Sequence, residues 1–207
     1  MNKLYITALV AICFSTLSYA QDKGDVEFGA NVGFNHSTVS TAAVESFQAD
    51  TGTGFNLGLY ADYFFSYNWS IKAKLIYDQK GWNNGTFSNN TGTYLTHYNL
   101  NYLTVPVMAN WHFGSERNWY LNVGPYAGFL ISATETTLET DVKEAFNTFD
   151  LGLSLGLGLK IPVTDKLKIS VEYEVQAGLM DVFKDNDSDP VINSRGSLNL
   201  GVNFLMQ

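Results

Sequence analysis

Three histidines are the side chains of this 207-residue chain whose chemistry first suggests catalysis. His36 and His97 could each activate a serine hydroxyl or pair with Asp50 or Asp181, as hydrolases of lipids or peptides require. The spacing of these residues favours no particular catalytic arrangement. The sequence therefore predicts that His36 and His97 are polar surface residues, and an enzyme is the alternative. His112 follows Trp111, and we interpret it as an interfacial residue.

The segment "DNDSDP" is the second candidate for chemistry. It places Asp185, Asp187 and Asp189 at alternate positions, and alternating carboxylates can bind Ca²⁺. The glycine and the downstream glutamate of a calcium-binding loop are both missing from it. The segment therefore predicts a solvated acidic loop, and the sequence predicts neither a metal nor a cofactor.

The N-terminus has the features of a secretory signal peptide. Lys3 is the only charge before Gln21, a short apolar run follows it, and "SYA" precedes Gln21. We expect residues 1–20 to be the signal peptide and residues 21–207 to be the mature domain. Cys13, the only cysteine, falls inside the signal peptide, and Ile12 before it disfavours lipidation. The mature chain then has neither a disulfide nor a thiol nucleophile.

The charge balance excludes one class of partner. The chain has 12 Lys and Arg against 20 Asp and Glu, a formal net charge of -8, and no basic cluster. Nucleic acid is therefore not an expected partner.

The dominant pattern is the alternation of apolar and polar residues, which predicts strands. Eight runs of about ten residues show it: 26–34, 55–65, 69–77, 103–113, 119–131, 151–161, 167–179 and 198–206. Short connections such as "SYN", "GSERN" and "TDK" alternate with long ones at 36–53, 81–96, 134–148 and 181–194. This pattern predicts an all-β fold: a closed, eight-stranded, antiparallel transmembrane β-barrel with short periplasmic turns and four long extracellular loops.

The aromatic residues support a barrel in a membrane. One set collects beside the short turns and another near the long loops, as the two interfaces of a bilayer select. A secreted β-sandwich is the alternative, but its second face would meet water and carry Thr, Lys and Glu. Here the second face is rich in Gly, Asn, Ser and Tyr instead. The two predicted aromatic sets are Tyr63, Phe65, Trp69, Trp111, Phe113, Trp119 and Phe204, and then Phe34, Phe55, Tyr77, Phe129 and Phe149.

The alternation changes phase in the fourth run. Tyr98, Leu100 and Tyr102 are in one phase, and the residues from Leu103 onward are in the other. We expect a bulge near residues 101–103, or a change of environment where the strand leaves the bilayer. Pro106 cannot donate to a strand ladder, so a local irregularity is expected there as well.

The inner faces of the predicted barrel carry a charge network. Lys72 and Lys74 point inward from the third strand, and Glu172 and Glu174 point inward from the seventh. We expect Glu172 to oppose Gly158 and Glu174 to oppose Gly156, with the glycines leaving room for the acids. A cross-strand ion pair is predicted between Asp62 and Lys72, and the two acids could reach Lys74 across the lumen. A structural plug is the favoured interpretation, and a proton or ion path is the alternative.

The segments "LIYDQKGW", "NLNYLTVPVMANWHF", "YLNVGPYAGFL" and "FDLGLSLGLGLKI" resemble, in order, the PorT-like or "porin family" outer-membrane barrels of Bacteroidota. This resemblance implies an eight-stranded barrel in the bacterial outer membrane and no catalytic motif. The founding member takes part in a secretion system, and most relatives have no assigned role. The C-terminal segment resembles a barrel-assembly signal at Asn199, Gly201, Phe204 and Met206, although it ends in Gln207 rather than an aromatic residue.

Three functions follow as hypotheses. The first is a non-catalytic barrel that acts as a structural or interaction component of the cell envelope, accessory to a secretion or surface machine. The second is an outer-membrane enzyme with a site at the extracellular rim, and the third is a narrow channel. Open aqueous channels need about sixteen strands, which counts against a diffusion pore. The expected partners are outer-membrane lipid, the barrel-assembly machinery and other envelope proteins.

Overall fold

The structure is a computed structural model that describes residues 23–41, 49–89, 92–187 and 189–206. The predicted signal peptide lies outside the described residues. Among those that are described, no helix is both long enough and apolar enough to cross a membrane. A 3-10 turn spans Lys143–Ala145. The strands are β1 Val26–Thr41, β2 Asp50–Phe64, β3 Trp69–Asn89, β4 Gly92–Phe113, β5 Trp119–Glu135, β6 Thr140–Asp141, β7 Phe149–Pro162, β8 Leu167–Gly178 and β9 Val191–Met206.

Eight of these strands close into an antiparallel ring. Each barrel strand pairs with the next along the chain, β5 pairs with β7, and β9 pairs with β1 from Val26↔Met206 to Thr41↔Val191. The two-residue strand β6 only extends the edge of β5 outside the ring. The predicted fold class, a closed eight-stranded antiparallel barrel, is confirmed. Closure leaves no free edge in the wall of the barrel, which is the condition for strands to stand in lipid.

The outer surface is apolar and has the expected aromatic residues. Leu151, Leu153, Leu155 and Leu157 of β7 are each about half exposed, while the residues between them are buried in the lumen. Most members of both aromatic sets are exposed on the outer face as well. Trp69 and Trp111 stack across β3 and β4, and Phe129 and Phe149 form an edge-to-face pair across β5 and β7. The barrel therefore presents an aliphatic band between two aromatic belts.

The glycines of β7 make room for side chains of β5. The predicted register is correct, since Gly158 pairs with Glu172 and Gly156 with Glu174. The predicted occupants of the space are wrong, because Tyr120 and not an acid lies over Gly158. A Cβ atom on Gly158 would lie 2.2 Å from Cζ of Tyr120. In the same way Asn122 fills the space over Gly156. The glycines of β7 therefore lie beside large side chains of β5.

The strands extend further on the long-loop side than the sequence predicted. β3 and β4 remain paired as far as Asn89↔Gly92, whereas residues 81–96 were expected to be a loop. β2 pairs with β3 only as far as Asn83, and β5 pairs with β4 only as far as Tyr98. The end of this hairpin is therefore a two-stranded ribbon beyond the barrel wall. Its Thr and Tyr residues favour strands, which explains why pairing continues.

The change of phase in the fourth run has a different cause from the predicted bulge in that strand. Every even-numbered residue of β4 from Thr96 to His112 is buried, so β4 keeps one phase. Tyr98, Leu100 and Tyr102 are apolar residues inside the lumen, in a cluster at its outer end. The register between β4 and β5 does shift at Asn101/Tyr102, but the extra residue is Ile131 of β5. The apolar residues therefore change phase because the outer end of the lumen is apolar, and not because β4 changes the face that it turns inward.

An irregularity at Pro106 is confirmed. Pro106 faces the lumen, and the β3–β4 ladder passes from Ala73↔Val107 to Ile76↔Thr104 without the intervening pairs. The register on the two sides of the gap is the same. The missing N–H of proline accounts for an interruption without a bulge.

The lipid-facing role of β7 can be tested at Leu155, near the middle of the strand. Leu155→Arg should lower the free energy of unfolding in lipid vesicles by about 2–4 kcal/mol, as expected for a charge at the bilayer midplane. Val163→Arg, in the short turn after β7, is the matched control and should cost about 0–1 kcal/mol. Equal stability of Leu155→Arg and the wild type would show that Leu155 does not face lipid.

Candidate functional site: the charged lumen

Among the described residues, six positive and six negative side chains point into the lumen between its two ends. All twelve are buried, and each lies on the inward phase of a barrel strand. Charges enclosed in a barrel of this size need partners, since an unpaired buried charge costs several kcal/mol. The positive residues are Lys72, Lys74, Lys80, Lys160, Lys168 and Arg195, and the negative residues are Glu27, Asp62, Asp78, Asp150, Glu172 and Glu174.

The middle of the lumen holds four of the five residues that the sequence singled out. Lys74 forms ion pairs across the lumen with Glu172 and, at 2.6 Å, with Glu174. Lys72 lies 3.5 Å from Glu172 and 4.3 Å from the centre of the Tyr120 ring. Arg195, which the sequence analysis missed, extends the group because it contacts Glu174 at 3.2 Å and Asp78 at 3.1 Å.

The predicted ion pair between Asp62 and Lys72 is wrong. The two residues are opposite one another in the β2–β3 ladder, as expected, but the ammonium of Lys72 points to Glu172. Asp62 instead accepts a hydrogen bond from Asn110 at 2.8 Å and lies 3.4 Å from Lys160 of β7. In this narrow lumen, a charged side chain can therefore pair with a residue on the opposite wall instead of with its cross-strand neighbour.

Two further groups of charges lie towards the ends of the lumen. On the side of the short turns, Lys160 pairs with Glu27 as well as with Asp62, and Lys168 lies 3.9 Å from Glu27. On the side of the long loops, Lys80 pairs with Asp150 at 3.1 Å. Asp150 also accepts hydrogen bonds from Tyr126 at 3.2 Å and Asn193 at 3.0 Å.

His112 is a lumen residue and not the interfacial residue that the sequence predicted. Its side chain is fully buried, its Nε2 atom lies 3.0 Å from Oγ of Ser70, and the same nitrogen lies 3.8 Å from Asp62. In a catalytic triad the serine and the aspartate contact different ring nitrogens. Here Ser70 and Asp62 both lie near Nε2, so the three residues form a buried polar contact and not a catalytic triad.

The other candidate residues for chemistry do not come together. His36 is exposed on the outer wall, where it stacks on Tyr173 and contacts its hydroxyl at 3.0 Å. His97 is exposed on the outer face of β4. Within the described part of the chain, neither histidine forms an ion pair, and Asp185, Asp187 and Asp189 do not form a group that could hold a metal.

The long-loop end of the lumen is closed by an apolar cap. Phe146 and Phe183 come from two different loops and stack with ring centres 5.2 Å apart. Both rings meet Trp82 edge-on from β3, at 5.9 and 6.1 Å. The backbone of Asn147 donates to Val182 at 2.8 Å, which ties the two loops together. This aromatic cap covers the outermost charged pair, Lys80–Asp150.

The short-turn end is also closed. Phe64 and Leu205 are buried at this end, and Phe64 lies 4.8 Å from the ring of His112. Arg117 lies with its guanidinium 3.7 Å from the centre of the Tyr67 ring and donates to the carbonyl of Tyr67. This clamp joins the two neighbouring turns. The charged layer is thus enclosed between apolar residues at both ends.

Little space remains in the middle of the lumen. A cavity bordered by Tyr60, Lys74, Tyr120 and Glu172 in the middle of the lumen has a volume of about 10 Å³. That is about the least volume that holds one water molecule. The filled lumen explains how twelve charges coexist in an eight-stranded barrel, because each one has a neighbour to contact.

The residues of the predicted assembly signal divide between the two faces of β9. Asn199 and Gly201 face the lumen, where Asn199 accepts a hydrogen bond from Asn56 at 3.0 Å. Phe204 and Met206 face outward and are about half exposed. They lie at the β1–β9 seam, opposite Phe28 and Val26.

Glu135, at the end of β5, organises the loop that leads to the aromatic cap. Its carboxylate accepts hydrogen bonds from the Thr96 hydroxyl at 2.8 Å and from the backbone N–H groups of Thr137, Leu138 and Thr140 at 2.9–3.1 Å. Burial raises the pKa of Glu135, but the hydrogen bonds from Thr96 and from the backbone outweigh burial and hold the pKa below its ordinary value. The ionised side chain therefore fixes the loop.

Comparison with protein families agrees with this architecture. A family model described as "Outer membrane protein beta-barrel domain" matches residues 19–184. The chain belongs to this outer-membrane β-barrel family. Its location is therefore the bacterial outer membrane, where lipid surrounds the barrel wall. None of the curated proteins matches the chain.

Several solved structures with a similar fold are outer-membrane proteins. OprG from Pseudomonas aeruginosa matches with a TM-score of 0.58 and 10% identity, over 93% of this chain and 100% of that one. Neisserial surface protein A has a TM-score of 0.51 and 16% identity, over 86% and 96%. Outer membrane protein AlkL has a TM-score of 0.51 and 14% identity, over 94% and 95%. At these identities the likeness shows the fold of the barrel alone.

The pairing of the lumen charges can be tested by neutralising one side of the network. Glu172→Gln with Glu174→Gln should lower the free energy of unfolding by at least about 3 kcal/mol, because Lys74 loses both partners. Adding Lys74→Met should recover part of the loss, since removing both partners of a buried pair is often nearly neutral. Glu139→Gln in an exposed loop is the control. A triple variant less stable than the double variant would contradict the pairing.

The Glu135 loop should depend on pH. Because the pKa of Glu135 is lowered in the folded protein, its stabilisation of the loop is present above the ordinary pKa of 4.5 and is lost as pH falls through the folded value. Hydrogen exchange at the amides of Leu138 and Thr140, corrected for the intrinsic effect of pH, should become less protected in that acidic range. Glu135→Gln should show low protection at every pH. Unchanged protection in the variant would contradict this role.

Proposed function

We propose that this protein is a non-catalytic, closed outer-membrane barrel that serves as a structural or interaction component of the cell envelope. The observation that carries the proposal is the filled lumen, in which six positive and six negative side chains lie between two apolar ends. Such an interior holds the wall together and offers no route for solute. The surfaces left for contact with other molecules are the extracellular loops, the periplasmic turns and the lipid-facing wall.

The filled lumen also argues against the channel hypothesis. Tyr60, Tyr120 and Tyr126 extend into it and are almost completely buried, and the rings of Tyr60 and Tyr120 both lie beside the ammonium of Lys72. Eight strands enclose a space that side chains can fill, whereas aqueous channels occur in much larger barrels. A solute would have to displace the aromatic cap, the paired charges and the apolar residues at the short-turn end in turn.

The arrangement of candidate nucleophiles and bases supports a non-catalytic role. His112 is enclosed at the short-turn end of the lumen, and His36 and His97 lie on the outer wall. A hydrolase needs a nucleophile, a base and an accessible pocket in one place. Among the residues that the structure describes, none of the three histidines has such a combination around it.

The finer assignment rests on the resemblance to the PorT-like barrels of Bacteroidota. It suggests a role beside a secretion or surface machine, which is an analogy at the level of fold. Recognition by the barrel-assembly machinery is proposed through Asn199, Gly201, Phe204 and Met206. Purification from native membranes in mild detergent, followed by identification of co-purifying proteins, tests whether an envelope partner exists.

Electrical recording tests the closed lumen. The wild-type protein in planar bilayers should show no stable openings. Phe146→Ala with Phe183→Ala should be equally silent, because the paired charges beneath the aromatic cap still fill the barrel. An established large porin provides the positive control. Stable, large, ohmic openings of the wild type would rule out the closed lumen and favour the channel.

A further inference from the structure

The chain contains one Asn-Gly dipeptide, Asn84-Gly85, and it lies at the base of the two-stranded ribbon beyond the barrel wall. The β3–β4 register shifts between Trp82 and Gly85, where β3 has one residue more than β4. Asn84 has no partner in either described ladder of β3, since the β2–β3 ladder ends at Asn83. Its φ angle is 56°, in the left-handed region, and its side chain is exposed.

Packing fixes the residue that follows Asn84. A Cβ atom on Gly85 would lie 2.6 Å from Cε2 of Tyr98 and 2.8 Å from Nε1 of Trp82. The rings of Trp82 and Tyr98 pack with their centres 4.9 Å apart, and Trp82 belongs to the aromatic cap. A larger residue at position 85 would therefore displace these rings. Because glycine has no side chain, its backbone nitrogen is also the least hindered nucleophile that can follow an asparagine.

An asparagine that precedes glycine can lose its side-chain amide without an enzyme. The backbone nitrogen of Gly85 gives up its proton to water and attacks Cγ of Asn84. The new N–Cγ bond closes a succinimide ring, the Cγ–Nδ2 bond breaks, and the departing nitrogen takes a proton from water and leaves as ammonia. Water then opens the ring at Cγ, which gives aspartate, or at the backbone carbonyl carbon, which gives isoaspartate. The exposure of Asn84 gives water access to this ring.

We propose that Asn84 is a site of spontaneous deamidation and that its conversion loosens the base of the ribbon. The side-chain amide of Asn84 donates a hydrogen bond to the carboxylate of Asp50, in the outermost pair of the β2–β3 ladder, Asp50↔Asn83. Deamidation removes this donor and puts a second carboxylate beside Asp50, and like charges on neighbouring strands repel. Isoaspartate adds a defect of its own, because its side-chain carbon enters the backbone of β3.

Peptide mass spectrometry of the folded barrel, aged in detergent at mildly alkaline pH, tests the modification. Alkaline pH speeds the reaction because the attacking nitrogen must be deprotonated. Asn84 should be converted before Asn83 and Asn99, which precede larger residues. Isoaspartate methyltransferase should label the aged wild type more strongly than aged Asn84→Gln. A synthetic peptide of residues 81–89 is the positive control, and an Asn84 that stays intact in the barrel after the peptide has been converted would overturn the proposal.

Hydrogen exchange of Asn84→Asp at neutral pH tests the effect on the ribbon. Amides of residues 50–52 and 82–85 should exchange about fivefold faster than in the wild type, which corresponds to about 1 kcal/mol of cross-strand repulsion. Thr86→Asp is the matched control, because it adds the same charge at an exposed position of β3 beyond the β2–β3 ladder, and it should exchange as the wild type does. The heat-dependent shift in gel mobility first shows that each variant is folded. Equal exchange in Asn84→Asp and the wild type would overturn the proposed loosening.

Discussion

The closure of eight strands into a ring is the constraint on which the rest of this structure depends. A ring of this size leaves an interior that side chains must fill, without room for bulk water. Every large side chain that points inward therefore needs a small one beside it, as Tyr120 and Asn122 need Gly158 and Gly156. Every inward charge likewise needs an opposite charge within reach, because water cannot compensate for it.

Charge pairing in the lumen follows from that constraint, and it leaves the net charge of the protein on the outer surfaces. Lys74 reaches across the barrel to Glu174, and Lys160 reaches across it to Asp62, so the ion pairs connect strands that are not neighbours in the ladder. Apolar residues at both ends keep the pairs away from solvent. Since these lumen charges balance, the net negative charge of the described residues lies mainly on the long loops.

Much of the fold could be predicted from the alternation of apolar and polar residues with a period of two. The eight strands, the β7–β8 register and the inward positions of Lys74 and Glu174 all follow from it. Contact partners across the lumen could not be predicted, because they depend on the tilt and stagger of strands far apart in sequence. The predicted ion pair between Asp62 and Lys72 is wrong for this reason. Glu27, Asp78, Lys80, Asp150, Lys160, Lys168 and Arg195 also lie on the inward phase, and the same alternation could have found them.

The lumen is filled, and its charges are paired away from water. The most direct measurement is NMR of ¹⁵N-labelled lysine side chains in the detergent-solubilised barrel at neutral pH. Slowly exchanging ammonium signals are expected from lumen lysines such as Lys74 and Lys160, and none from Lys166 or Lys184 at the two surfaces. Exchange at Lys74 as fast as at Lys166 would contradict it, because it would mean that water reaches the middle of the lumen.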